Sequence, residues 1–193
     1  MKEEIANLKK NHILEIASAH FNESGFDNTQ VSVIAKEAGV SIGTIYGFFD
    51  NKEGLLGAVI KRDIEQAHAE LVKELAKTDD PEVKLRIMVK KKFEHLNNKK
   101  KNMKELLNKN PMFLVQTSLV EGCPMKKIYE LTADILRELA KKIPLKSDDY
   151  VQMAYNFKAL SNGYIERWAG EDDYEFHDKS DEVVLFFLDG IKK

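Results

Sequence analysis

A chain of 193 residues is long enough for one large hydrophobic core or two smaller ones. With 43% hydrophobic and 32% charged residues, four prolines and ten glycines, it is neither disordered nor collagen-like. Thirty basic residues against 32 acidic ones leave a formal charge of −2, so nucleic acid or an anionic membrane has to be met through a local patch. Cys123 is the only cysteine, which excludes an intrachain disulfide and a thiolate metal cluster within one chain and fits a reducing compartment. No stretch approaches the ~18 apolar residues of a membrane span, and the charged start has no apolar run, so the expectation is a cytoplasmic protein with no membrane partner.

Helical periodicity runs through almost the whole chain and no alternating strand pattern is sustained, which predicts an all-α fold. Ile13, Ile16, Ala17 and Phe21 share one face of a first helix that Gly25 is placed to end. Val31, Ile34, Ala35 and Ala38 form the apolar face of a helix barely two turns long, with Thr29 as candidate cap and Gly39 as its breaker. Ser41 caps another short helix, whose Ile45, Phe48 and Phe49 face inward. Asn51 caps a long fourth helix carrying Leu56, Ile60, Ile64, Ala67, Leu71 and Leu75, ending near Ala76. Prolines 81, 111, 124 and 144 then punctuate helices expected at about 82–109, 111–120, 124–142, 147–170 and 180–191.

Two short helices joined by a Gly-containing turn are what a helix-turn-helix needs to project its second helix into a major groove ~12 Å wide. Ala35 and Ala38 are small where the helices approach, and Gly39 leaves the turn without a Cβ. The second helix turns Ser41, Ile42, Gly43, Thr44, Tyr46 and Gly47 outward. Hydroxyls can bond base edges or phosphates, Ile42 and the Thr44 methyl can touch a thymine methyl, and Gly43 lets the helix start sit close to DNA.

The run Phe21-x-x-x-Gly25-Phe26, followed by Thr29-x-Val31-x-x-Ile34-Ala35-x-x-Ala38-Gly39-Val40-Ser41-x-Gly43-Thr44-Ile45-Tyr46-x-x-Phe49-x-Asn51-Lys52-Glu53-x-Leu55-Leu56, closely resembles the DNA-binding region of tetracycline-repressor-type (TetR) transcriptional regulators. The resemblance covers about the first quarter, with a loose echo in Asn162-Gly163-Tyr164-x-x-x-Trp168. It implies a helix-turn-helix DNA-binding domain over residues 1–51 and an effector-binding and dimerisation domain over residues 52–193. It adds Thr29, Gln30 and Ser32 to the DNA-facing set and gives Lys52 a phosphate-clamping role at the start of the fourth helix, where the dipole favours an anion. Two departures stand out. Many relatives carry a cation at Ile42 and a large aromatic or His at Gly47, so bidentate guanine reading is not expected from this helix. Residues 1–52 hold five lysines against seven carboxylates, so the bulk basic footprint of a DNA-binding unit is missing.

Charge is segregated further on. Lys84 to Lys109 contains ten basic and two acidic residues, net +8, whereas Leu145 to Glu182 contains four basic and ten acidic ones, net −6. Solvated faces account for this pattern, and some of the lysines are candidates for holding an anionic effector. The last two helices are apolar most of the way round, and with no later helix to cover them they are expected to build an intermolecular four-helix bundle. A two-fold homodimer follows, with Ala159, Gly163, Val184, Phe187, Leu188 and Ile191 as candidate interface residues, and that symmetry suits a palindromic double-stranded operator. Between the two ends, soft and aromatic side chains stand where the resemblance places an effector pocket: Met88, Phe113, Met125, Tyr129, Phe157 and Trp168 are the candidate lining.

An enzyme is the rival class, along with a helical dimer that binds no DNA. The five histidines form no His-x-x-x-His pair, no Gly-rich phosphate loop occurs, and Cys123 has no recognisable partner. The run Glu171-Asp172-Asp173 with Glu175, His177 and Asp178 lacks the glycine and spacing of a calcium loop and reads as a solvated acidic loop. No catalytic residue, metal or cofactor is expected. The sequence therefore predicts a ligand-responsive dimeric transcriptional regulator, a repressor, released from its operator by a small apolar or amphipathic effector.

Overall fold

The computed structural model of the chain describes residues 2–97, 107, 124–176 and 178–193. Among them eight α-helices form: α1 Lys2–Ser24, α2 Val31–Glu37, α3 Ile42–Phe49, α4 Lys52–Leu75, α5 Pro81–Asn97, α6 Met125–Ala140, α7 Tyr150–Gly170 and α8 Ser180–Ile191. The sole extended pairing among the described residues is an isolated antiparallel bridge between Leu145 and Lys192. The all-α expectation holds. The helix expected over 111–120, and with it Phe113, Cys123 and His177, lies outside the described residues.

The chain divides into two compact units after Ile64. In the first, Ile13, Ile16, Ala17 and Phe21 of α1, Val31, Ile34 and Ala35 of α2, Ile45 and Phe49 of α3, and Leu55 and Val59 of α4 form one buried cluster. Leu55 and Val59 complete this core, so this compact unit includes the first half of α4.

The connections are closed by specific hydrogen bonds. At the end of α2 the Val40 N–H donates to the Ala35 carbonyl (2.9 Å) and the Gly39 N–H to that of Lys36 (3.3 Å), with Gly39 at φ +63°. This is a Schellman ending that places a left-handed residue where only glycine is unstrained. Ser41 caps α3 by accepting the Thr44 N–H at 3.0 Å. Between α3 and α4, Asp50 stands at φ 62°, ψ −52°, and the Asn51 N–H donates to the Phe49 carbonyl at 2.7 Å. That is a γ-turn with a non-glycine centre, a conformation costing on the order of 1–3 kcal/mol. Asn51 then caps α4, its side-chain carbonyl accepting the Gly54 N–H at 2.7 Å. A Cβ on Gly54 would lie 2.0 Å from the Phe49 carbonyl oxygen, so this close junction admits only glycine.

In the second unit, α5, α6, α7 and α8 bury a continuous apolar core that includes Leu85, Val89 and Phe93, Ala133, Leu136 and Leu139, Phe157, Ile165 and Trp168, and Val183, Val184 and Leu188. Pro81 opens α5, and the Asp80 carboxylate caps it by accepting the N–H groups of Glu82 (2.8 Å) and Val83 (3.2 Å). The backbone donor of Val83 foremost holds that carboxyl below its ordinary value. Asp149 caps α7 through the Gln152 N–H at 2.9 Å. The acidic stretch after α7 is not wholly solvated. Phe176 is buried with its ring 4.6 Å from Phe93 and 4.9 Å, edge-on, from Trp168, and the Arg167 guanidinium lies 4.2 Å from the Tyr174 ring. The negative charges of that loop frame an aromatic plug.

Candidate nucleic-acid interface and effector region

In α3 the inward and outward residues separate cleanly. Ile45 and Phe49 are buried and Phe48 packs half-buried against them, its ring 6.0 Å from that of Phe49. Ile42, Gly43, Tyr46 and Gly47 fall at i, i+1, i+4 and i+5, a single strip of the helix. Ile42 is 42% and Tyr46 41% exposed, and both glycines lie open. The glycines keep one flank of the strip low, which leaves Ile42 and the ring and hydroxyl of Tyr46 as its projecting features. Ser41 and Thr44 bond each other through their hydroxyls at 2.8 Å. That pair fixes the first turn while keeping further acceptor capacity at its edge.

Lys52 is positioned from two sides. Its Nζ lies 4.4 Å from the Phe26 ring centroid and donates to the Asp27 carbonyl at 3.4 Å, so the ammonium is held against the segment that follows α1. A second cation, Lys10 of α1, stands 5.6 Å over the Phe49 ring. Gln30 and Ser32 are exposed at the start of α2.

Thr29 is a correction. It is neither the cap of α2, whose N-cap position is Gln30, nor outward-facing. It is 4% exposed, and its hydroxyl donates to the Gly25 carbonyl at 2.7 Å, with the His20 carbonyl at 3.1 Å. Those two carbonyls belong to the end of α1, where the chain needs acceptors satisfied, and this draws the hydroxyl inward. Asp50 and Gly54, which set the angle between α3 and α4, carry no periodic signal and were missed. The x between Glu53 and Leu55 in the sequence pattern was the available hint.

The candidate effector residues fall into two groups. Met88 is buried on α5, 3.8 Å through its sulfur from the Thr132 hydroxyl, which itself donates to the Ile128 carbonyl at 2.7 Å. Tyr129, one turn before Thr132 on α6, stacks on Tyr155 at 4.0 Å with the rings 12° apart, and the Lys158 Nζ lies 5.2 Å from its centroid. Met125 is half-buried against the same core. By contrast Phe157 packs on Phe187 at 4.8 Å and Trp168 on Phe176, both as core rings. A shallow cleft of about 230 Å3 among Pro81, Lys84, Leu131, Asp134, Ile135 and Arg137 contains none of the six.

Of the candidate dimer residues, Val184, Phe187, Leu188 and Ile191 are covered by the chain's own core, and Ala159 and Gly163 face outward. The reason for assigning the first four to a partner therefore falls away. The α8 residues left uncovered are Leu185, 58% exposed, and Phe186, 56% exposed. α8 is fixed in place by the Tyr164 hydroxyl donating to Glu182 at 3.0 Å and by Arg86 pairing with Asp181 at 3.1 Å. Burial and the Glu182 carboxylate push the Tyr164 phenol up to about 12. Arg86 of the basic α5 thus meets the acidic C-terminal stretch within one chain, and a pair of the opposite sense, Lys192 with Glu82 at 3.2 Å, ties the same elements together.

No described helix is long and apolar enough to cross a membrane, and the described residues hold no group of three or more metal-ligating side chains. Residues 13–59 match the family described as "Bacterial regulatory proteins, tetR family". The fatty acid metabolism regulator protein of Bacillus subtilis (strain 168) is 35% identical over 81 residues, 42% of each chain, so the alignment spans less than half of that relative. The structure of the regulator FadR from Bacillus subtilis in complex with stearoyl-CoA is similar over 93% of this chain and 98% of that one, with a TM-score of 0.73 and 24% identity. The fatty acid degradation regulator FadR from Bacillus halodurans is similar over 94% and 99%, with a TM-score of 0.72 and 23% identity. At those identities the likeness is one of fold. The segment over 13–59 thus matches the tetR family of bacterial regulatory proteins, and it stands in an all-helical fold shared with these regulators.

Proposed function

We propose that the chain is a dimeric, ligand-responsive transcriptional regulator, a repressor that acts in the cytoplasm, binds a palindromic operator and leaves it when a small molecule binds the second unit. The observation that carries this reading is the exposed strip of α3. Ile42 and Tyr46 rise beside Gly43 and Gly47 on a helix that a serine caps and a close-packed junction holds against α4. A packing helix has no use for two large exposed side chains flanked by glycine, whereas a helix laid in a major groove does. Tyr46 and Ile42 supply contacts to base edges and thymine methyls, Ser41 and Thr44 reach edges or phosphates, and Lys52 clamps a phosphate at the start of α4.

Dimerisation is assigned to the outward strip of α7 and α8, where Ala159 and Gly163 permit close approach and Leu185 and Phe186 supply apolar area. A palindromic operator requires the α3 helices of the two copies to meet half-sites ~34–36 Å apart. α4 is unbroken from Lys52 to Leu75, with Leu55 and Val59 in one core and Leu71 and Leu75 in the other. A ligand that displaces its second half displaces its first. The regulators named above act in fatty acid metabolism, and one of them holds stearoyl-CoA. An amphipathic effector with an anionic head is the class we assign here. The test is a gel-shift titration of the full chain on its own upstream DNA and on a scrambled duplex. Selective retention of the upstream duplex is expected, and equal retention of both overturns the reading.

A further inference from the structure

In the second unit a lysine stands where an ion pair would be expected. Met88, Lys92 and Leu96 lie at i, i+4 and i+8 on one strip of α5, with Met88 and Leu96 buried. Facing them on α7, Lys158, Ser161 and Asn162 lie at i, i+3 and i+4. The Lys92 ammonium donates to the Ser161 hydroxyl at 2.7 Å and to the Asn162 side-chain carbonyl at 2.6 Å. Ser161 is itself buried and donates its hydroxyl hydrogen bond to the Lys158 carbonyl at 2.9 Å. Both acceptors are neutral, and no carboxylate of the described residues pairs with Lys92. The charge that acts on it is another cation, Lys158. Burial first, and Lys158 second, push the Lys92 ammonium down to about 7.

Lys92 is half-buried, and a partly desolvated ammonium with no counter-ion among the described residues is costly, the more so beside another cation. An apolar side chain of similar length would fill the same strip between Met88 and Leu96 without that cost. Two aimed acceptors instead hold the amine in one place, and among the described residues its third N–H has no acceptor.

We propose that Lys92, oriented by Ser161 and Asn162, is the anion-recognition group of the effector site. The ligand class is a molecule whose anionic head, a carboxylate or a phosphate, completes the ion pair while its apolar body lies along the Met88 strip. The inference rests on the ligand-responsive reading above and adds to it the group that selects the head. Binding of the anion draws a proton onto Lys92, since the ion pair restores the ordinary basicity of the amine.

The experiment is calorimetric titration of the full chain and of its K92M and K92R variants with laurate, dodecyl phosphate, lauroyl-CoA and dodecanol. Wild-type titrations at pH 8 are repeated in two buffers of unlike ionisation enthalpy. Wild type is expected to bind at least one anionic amphipath about ten- to a hundredfold more tightly than dodecanol and to take up close to one proton as it does so. K92M should bind dodecanol unchanged and lose the preference, with K92R restoring part of it. Laurate against dodecyl phosphate and lauroyl-CoA separates a carboxylate head from a phosphate-bearing one. A preference for anions that persists in K92M, or binding by wild type without proton uptake, overturns the assignment of Lys92 and leaves the ligand-responsive reading in place. Failure of wild type to bind any of the four overturns both. The proton count needs no variant, so it decides the matter even if K92M does not fold.

Discussion

Tyr46 and Lys52 are exposed to different degrees, and the proposed function gives them different tasks on DNA. Tyr46 stands free on the open strip of α3, so Tyr46→Ala should weaken binding to the operator by ~1–3 kcal/mol without changing the melting temperature. Lys52 is held over Phe26 at the first residue of α4, and the role proposed for it is contact with a phosphate. Lys52→Ala should therefore weaken operator and scrambled duplex alike and flatten the salt dependence, read as the slope of log affinity against log salt. A base preference altered by Lys52→Ala would contradict this division. Lys92 gives a stability prediction independent of any ligand. Its native ammonium titrates near 7, whereas an exposed lysine of the unfolded chain titrates at ~10.4. Between those values the unfolded chain holds the extra proton, so this residue's contribution to stability rises with pH from about 7 upward and is least favourable below 7. Urea unfolding of wild type and K92M at pH 7 and pH 9.5 should show wild type gaining on the variant at the higher pH. A constant gap would mean that the native amine titrates normally.

Among the elements, the α3–α4 junction and α8 carry the sharpest expectations. Gly54→Ala forces a Cβ against the Phe49 carbonyl, which is backbone and cannot swing aside, so it should cost at least ~1–3 kcal/mol of thermal stability. Asp50→Gly relieves the positive φ at the same junction and should stabilise by about 1 kcal/mol. A melt in which both variants match wild type would remove the strained turn from the account. In α8 the two faces separate folding from assembly. Leu188→Lys places a charge in the chain's own core and should unfold the second unit, with circular dichroism as the readout. Phe186→Glu changes only the uncovered face and should leave helicity intact while light scattering reports a monomer. A folded Phe186→Glu dimer would move the interface elsewhere.

For the whole molecule, effector and operator must be linked reciprocally. An effector that loosens operator binding by a given factor is itself bound more weakly by that factor when operator is present, with typical couplings of ~1–3 kcal/mol. Titrating the effector into free chain and into chain saturated with operator measures both sides, with release of labelled operator followed in parallel. Tight effector binding with no change in operator affinity would rule out transmission through α4.

By itself the sequence determined the all-α class, the positions of α1–α4, the caps at Ser41 and Asn51, and the α3 strip of Ile42, Gly43, Tyr46 and Gly47. All of these rest on contacts within a few residues of one another, which spacing records directly. It also correctly marked the last two helices as heavily apolar. Which of their faces is covered depends on partners distant along the chain, and there the tertiary structure decided. α5 and α7 cover Val184, Phe187 and Leu188, leaving Leu185 and Phe186 outside. The inward turn of Thr29, the burial of Phe176 within an acidic loop and the meeting of Lys92 with Ser161 and Asn162 were likewise beyond the sequence. In each, a side chain's polarity suits a surface position as well as an interior one. The choice falls to a carbonyl, ring or hydroxyl supplied by another part of the chain, and for Lys92 that part is about seventy residues away.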